Sequence, residues 1–421
     1  MGNAFEAAAY AQISSASISF VSSLTMATAI VRSDGGLTSP FRRLIFGLSV
    51  TDVLQSFGLI VGPFAIPASD ISPFGVGNQG TCSAQGFVLE LACHALPIYT
   101  CGLSYYYYCK LKYDMSDETF SRRIEWKTHG ASWLAGLSVS ITALATKTLN
   151  TNGYTGSFCS CGTFPADCRQ HPDLYDAGEC RGAKTVLTFD YIFLAILVLC
   201  QICIIRNVSF MLWHIIKRDR TFGGANTPPL PTKKNARNSS SSPPDKTSLR
   251  ADDTESGISL ENDQELPVES AKNFRKTIRR TMMVQSCLYV AAFFVTYSLF
   301  WIYLAMFMLG LDPPSSMLIA SSITCPLGGL FNILVFTRPS VWILRRRHSY
   351  SWLKAFVLVI KAGGEVPHEF RDDEPKNKVP SSSQSLETPA MILSAGLVGE
   401  VESEVSVSAP GNRRFYKFDV F

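Results

Sequence analysis

The chain has 421 residues, 47% of them hydrophobic and only 17% charged, and its mean hydropathy is +0.14. A soluble domain carries about 25% charged residues, so the depletion excludes an ordinary soluble protein and points to a membrane. The net charge of +4 says little by itself; the positions of the positive residues say more.

In chain order, seven apolar segments approach the roughly 20 residues that a bilayer requires. They run over Tyr10–Val31, Arg43–Ile66, Ala84–Cys109, His129–Lys147, Val186–Trp213, Ile278–Leu309 and Met317–Thr337. The opening MGNAFEAAAY lacks a basic n-region, so the first segment reads as an uncleaved signal anchor. Its many Ser and Thr residues suit close packing against neighbouring helices.

The second segment holds Asp52, and an intramembrane carboxylate is a functional hypothesis by default. On the third, Glu90 and His94 are four residues apart and share a helix face, two to three turns from Cys82. That depth suits a small-ligand cavity. Asp190 near one end of the fifth segment and Trp301 on the sixth are assigned to the same cavity. The last segment contains PLGGLFNILVFTRP (Pro326–Pro339), where a proline and the pair Gly328–Gly329 predict a hinge. Asn332, just beyond it, is the expected partner of Asp52. Pro326, Gly329, Asn332 and Asp52 thus form a candidate switch.

Lys and Arg alternate between loops. Arg32, Arg42 and Arg43 mark the first loop, and Lys110, Lys112, Arg122, Arg123 and Lys127 the third. Lys217–Arg220 and Arg275–Arg280 flank the fifth loop, and Arg338 and Arg345–Arg347 follow the last span. The second and sixth loops have none. The pattern predicts the N-terminus outside and the C-terminus in the cytosol. It also explains the basic clusters without nucleic acid.

Thr221–Ser270 and Gly363–Phe421 are rich in Ser, Pro and charge and read as disordered. Ser351–Ile360, together with Pro339–His348, reads as an interfacial helix after the last span. The expected organisation is an all-α seven-span domain over 1–350, interrupted by a cytosolic loop at 221–270, with an interfacial segment and tail over 351–421. Phosphorylation at Ser239–Ser242 and Ser381–Ser385 by kinases would recruit desensitising proteins.

Of the twelve cysteines, Cys82, Cys159, Cys161, Cys168 and Cys180 fall on the outer side, where disulfides form. Cys82 is expected to bridge to Cys159 or Cys161, and Cys168 to Cys180, leaving one thiol over. A zinc site using His171 is set aside because an oxidising compartment favours disulfides, so no metal is expected. The last span has no lysine to anchor a retinal, and no protease, kinase or nucleotide-loop motif is present. Neither an enzyme nor a cofactor is expected.

FRRLIFGLSVTD (Phe41–Asp52), followed by the Pro326–Pro339 stretch, resembles the G-protein-coupled receptors of the cyclic-AMP-receptor-like and fungal nutrient-receptor family. Matching positions are Arg43, Leu44, Ser49, Asp52, Pro326, Leu327, Gly329, Asn332, Leu334, Val335, Arg338 and Pro339, with Cys82 and Trp133 as the cysteine and tryptophan of the third and fourth spans. The resemblance covers about Tyr10–Tyr350. It implies a plasma-membrane receptor with an extracellular small-molecule ligand and a heterotrimeric G protein as cytosolic partner. The docking surface would include Tyr107, Lys110, Lys217, Arg279 and Arg280. YYYYCKLKY stands where rhodopsin-like receptors carry an acid-arginine-aromatic triplet, and the sixth span lacks a proline. Cyclic AMP, an anion, would call for Arg or Lys in the pocket, and the upper spans offer only Lys147 and Lys184 at the loop edge. The alternative is a seven-span transporter or channel, against which the lack of an internal repeat counts.

Overall fold

The computed structural model of the protein describes residues 2–68, 74–151, 157–163, 183–223, 268–309, 311 and 313–370. These residues are mostly helical, and the one sheet among them has two strands.

Helix α1 (Gly2–Arg32) turns into α2 (Pro40–Ala65), which opens with Ser39 as N-cap and Pro40 in the first turn. That proline costs nothing, because the first N–H groups of a helix have no internal partner. Asn78 and Thr81 form a capping box that starts α3 (Gln79–Tyr113), and Asp114 ends it in the left-handed region, φ 51°. The short α4 (Asp117–Phe120) passes through a π turn, Ser121–Glu125, into α5 (Trp126–Ala145). Strands β1 (Leu149–Thr151) and β2 (Cys159–Cys161) pair antiparallel, Asn150 opposite Ser160. The long helices α6 (Ala183–Gly223) and α7 (Val268–Met308) have 41 residues each. At 1.5 Å per residue that is ~60 Å, about twice the hydrocarbon thickness of a bilayer. Next come α8 (Ser315–Thr324), a single 3-10 turn over Cys325–Leu327, α9 (Gly328–His348) and α10 (Trp352–Lys361).

Among the described residues, six helical segments are long and apolar enough to cross a membrane: Glu6–Arg32, Pro40–Ala65, Gln79–Tyr113, Tyr191–Trp213, Arg280–Met306 and Ser315–His348. Their inner faces share a core in which Met26, Leu44, Leu48, Tyr99, Leu103 and Phe293 are buried. Their outer faces are apolar too. Val21, Phe57, Leu199, Ile202 and Val295 are each at least half exposed. Water would penalise so much uncovered apolar surface, whereas lipid accepts it. This is the pattern of an integral membrane protein.

The segment expected as the fourth span, α5, is a 20-residue helix outside that set. Its Ser and Thr content lowers its average hydropathy. The hydroxyls nevertheless stay within the helix: Ser132 donates to the Thr128 carbonyl, Ser140 to Gly136 and Thr142 to Ser138, at 2.7–2.8 Å. A Cβ on Gly136 would strike the Leu91 carbonyl, and one on Gly102 would strike Thr128, so α5 lies backbone-close to α3.

Two other expectations need correction. Pro339–His348 does not join the interfacial helix, because α9 continues through Pro339 to His348. Only α10 is separate, with Ala355 and Val359 packed on Val341 and Leu344 of α9. Nor is the chain after Gly363 structureless from its start. Gly363 and Gly364 adopt φ of 74° and 87°, which favours residues without Cβ, and turn the chain back toward α1 and α2. Ser340 Oγ donates to the Gly364 carbonyl at 2.9 Å, and buried Glu365 pairs with buried Arg42. The greater part of the two segments read as disordered, residues 224–267 and 371–421, lies outside the described residues.

Candidate functional site

A cleft of about 1040 Å³, its mouth included, opens between α1, α2, α3, α6, α7 and α8 beneath the β-hairpin. The hairpin is held there from several sides. Cys159 stands at disulfide distance from Cys82, 2.08 Å between sulfurs. Gln85 on α3 accepts the Cys159 N–H at 2.8 Å and donates to the Gly58 carbonyl of α2 at 2.9 Å. Ser157 Oγ donates to Gln12 of α1 at 2.8 Å. Gly62 leaves no room for a Cβ beside Phe158. The expected bridge partner of Cys82 was open between two residues; it is Cys159, and Cys161 instead gives its N–H to Glu90 Oε1 at 3.1 Å. Cys168 and Cys180 lie outside the described residues.

Glu90 and His94 both line the cleft. His94 Nδ1 lies 2.8 Å from the Glu90 carbonyl, while its Nε2 is buried with no partner among the described residues. The ring meets Phe193 edge-on at 4.9 Å. Asp190 falls on α6, and its side chain lies outside the described residues. Trp301 is not on the wall, contrary to the expectation. Helical side chains lean toward their own N-terminus, and Trp301 leans onto Tyr297 and Phe293, at 6.4 and 5.9 Å. Tyr297 and Phe300 take the wall positions on α7.

Below the cleft lies a polar pair. Asn332 Nδ2 donates to Asp52 Oδ2 at 2.7 Å, with both residues buried. The 3-10 turn containing Pro326 sits between them and the cleft, and Pro326 itself lines the cleft. Tyr297 lines both this cleft and a smaller cavity that includes Asp52, Gly328 and Asn332. Its hydroxyl donates to Gln55 at 3.1 Å. Gly329 gives its N–H to Ser19 Oγ at 3.0 Å, so α1 touches the chain just past the turn. Gln12, Gln55, Gln85 and Tyr297 were not singled out from the sequence. Three glutamines inside apolar segments were a usable signal, because buried amides need partners.

At the basic end the expected docking residues divide. Tyr107 is 2% exposed and packs on Phe41 at 5.7 Å, so it presents nothing to a partner. The run of four tyrosines wraps around α3, and Tyr106 and Tyr107 take the inward face. Lys110 is tied to Asp117 at 2.5 Å. Lys217 is exposed beside the Trp213 ring, and Arg280 is exposed. Arg279 lies on α7, its side chain outside the described residues.

The same end holds a polar chain that joins α2, the π turn, α5 and α3. Arg43 of α2 pairs with Glu125, His129 Nε2 lies 3.7 Å from Glu125, and the Tyr99 hydroxyl lies 2.9 Å from His129 Nδ1. Burial raises the Glu125 pKa, but hydrogen bonds from Arg43, His129 and Ser121 outweigh it and hold the carboxyl well below its ordinary 4.5. A depressed folded-state pKa adds stability above the unfolded value and loses it as pH falls through the folded one. Glu125→Gln is therefore expected to lower the melting temperature at neutral pH. The gap to wild type should narrow progressively as pH falls below 4.5. A gap that stays constant across that range would show that the carboxylate charge is not what holds the contact.

No family model matches the chain, and no curated protein matches it. Among the described residues, no group of three or more His, Cys, Asp or Glu is placed to hold a metal ion.

Proposed function

We propose that the protein is a G-protein-coupled receptor, similar to the cyclic-AMP-receptor-like and fungal nutrient-receptor family, that signals the binding of an extracellular small molecule. The observation that carries the reading is the continuity between the cleft and the switch. Pro326 and Tyr297 line the cleft, and Tyr297 also borders the cavity holding Asp52 and Asn332. A ligand pressing on that wall would touch a helix break whose far side bears the Asp52–Asn332 bond. A ligand that prefers one arrangement of the break would shift the population toward it.

In this reading α5 is the seventh span. Its residues Leu134, Leu137, Ile141 and Leu144 form an outward apolar stripe, all at least 39% exposed, which supports a lipid-facing helix. The N-terminus and the hairpin are outside, and the Arg345–Arg347 end faces the cytosol. The membrane is the plasma membrane. Exposed Lys217 and Arg280, with Arg279, form the G-protein surface, and Tyr107 supports it from within. Kinases and desensitising proteins act on the loop and the tail.

The test is guanine-nucleotide exchange on the host's Gα by the purified chain in lipid discs, with a panel of metabolites. Exchange above empty discs is expected, and Asn332→Ala should reduce it severalfold by stranding Asp52 without its donor. Exchange no faster than with empty discs under every addition would falsify the receptor reading.

A further inference from the structure

The cleft has a chemical polarity that restricts its ligand. Among the described residues that line it, Glu90 is the only acid, and none is Lys or Arg. Glu90 Oε1 accepts one peptide N–H, from Cys161 at 3.1 Å. His94 Nδ1 lies 3.4 Å from Oε2, but its proton is directed to the Glu90 carbonyl at 2.8 Å. A carboxylate offers about four acceptor sites, so Glu90 keeps unused capacity.

His94 adds to this. With Nδ1 bearing the proton of the neutral ring, Nε2 is a bare lone pair. Among the described residues it has no partner, and His94 is 2% exposed. Leaving such an acceptor unmet costs on the order of 1–3 kcal/mol, which a ligand donor would remove. Several wall donors are already engaged: Gln12 donates to the Leu59 carbonyl, Tyr297 to Gln55, and Ser321 to the Leu318 carbonyl. The remaining wall is largely apolar and includes Phe158, Phe189, Phe193 and Phe300.

Two adjacent acceptors, one of them charged, against an apolar wall with several phenylalanines fit a donor-rich cation. We infer that the cleft takes a small protonated amine with an aromatic or apolar body, its ammonium on Glu90 and His94 Nε2, and that it rejects anions such as nucleotide phosphates. Among the described lining residues, an anion would meet the Glu90 charge with no compensating cation. The inference rests on the cleft being the ligand site, not on what the receptor does afterwards.

The experiment is equilibrium binding to the full chain in lipid discs, with empty discs subtracted and no G protein present. The probes are 2-phenylethylamine, 2-phenylethanol and phenylacetate, which match in size and differ in charge. The amine is expected to bind about tenfold more tightly than the alcohol, as a charge-assisted hydrogen bond implies, and the acid not at all. Glu90→Gln keeps the acceptor for Cys161 and should erase the preference for the amine, whereas Glu90→Asp should retain it. Equal or tighter binding of phenylacetate overturns the inference, as does an amine preference that survives Glu90→Gln, or no binding of any probe. Amine binding through Glu90 without nucleotide exchange would leave the inference standing and remove the receptor reading. Exchange driven by an anion, with no amine binding, would do the reverse.

Discussion

Glu365→Ala is expected to cost about 3–5 kcal/mol, the usual cost of breaking a buried ion pair from one side. Arg42 and Glu365 have side chains only 3% and 6% exposed, and they are 323 residues apart in the chain. The pair ties the turn after α10 to the start of α2. Arg42 also donates to Ser33 Oγ at 2.5 Å, so one guanidinium joins the α1 terminus, α2 and the returning chain. Without Glu365 the guanidinium stays buried with less compensation, and the turn at Gly363–Gly364 loses its anchor. The double variant Arg42→Met/Glu365→Leu should be less destabilised than Glu365→Ala, because no buried charge remains. Equilibrium unfolding in mixed detergent reads both. If the double variant is as costly as the single, lost packing rather than a stranded charge is responsible.

That contact also marks where the sequence stops being readable. The long helices could be read because apolar runs of bilayer length have few alternatives. Asp52 and Asn332 could be paired because each is a polar group in an apolar run, and buried polar groups need partners. The break at Pro326 could be placed because proline removes a helix hydrogen bond wherever it stands. Pro339 misled for the same reason: the helix runs through it, so tertiary packing overrides the local preference. Glu365 sits among glycines in a stretch of loop composition, and nothing nearby announces an arginine more than three hundred residues earlier. Trp301 and Tyr107 failed at a finer level. Their helices were legible, but the direction each side chain takes is set by neighbours on other helices. The β-hairpin lid is three residues per strand, too short for any periodic signal, and only its cysteine hinted at its position.

Gly329→Leu is expected to prevent stable assembly, while its neighbour Gly328→Ala is tolerated. A Cβ on Gly329 would collide with Ser23 Oγ and would lie 2.8 Å from both the carbonyl and the hydroxyl of Ser19. The hydroxyl of Ser23 can rotate away, but the Ser19 carbonyl belongs to the backbone of α1. The helix must therefore shift, and the rest of a leucine side chain has no space to enter. Overpacking costs about 1–3 kcal/mol where neighbours can yield, and more where a helix backbone must move. The shift would also break the bond from Gly329 N–H to Ser19 Oγ. At Gly328 the nearest atom to an added Cβ is Asp52 Oδ1 at 3.4 Å, and alanine is the better helix former by about 0.5–1 kcal/mol. The two adjacent glycines thus separate crowding from helix propensity. Yield of folded chain and unfolding in mixed detergent are the measurements. Gly329→Leu with wild-type stability would mean that α1 does not lie against α9 at this point. The result bears on the hinge as well. α1 holds both sides of the break: Ser19 Oγ accepts the Gly329 N–H past Pro326, and Ser15 Oγ donates to the Ser322 carbonyl on the cleft side at 3.1 Å.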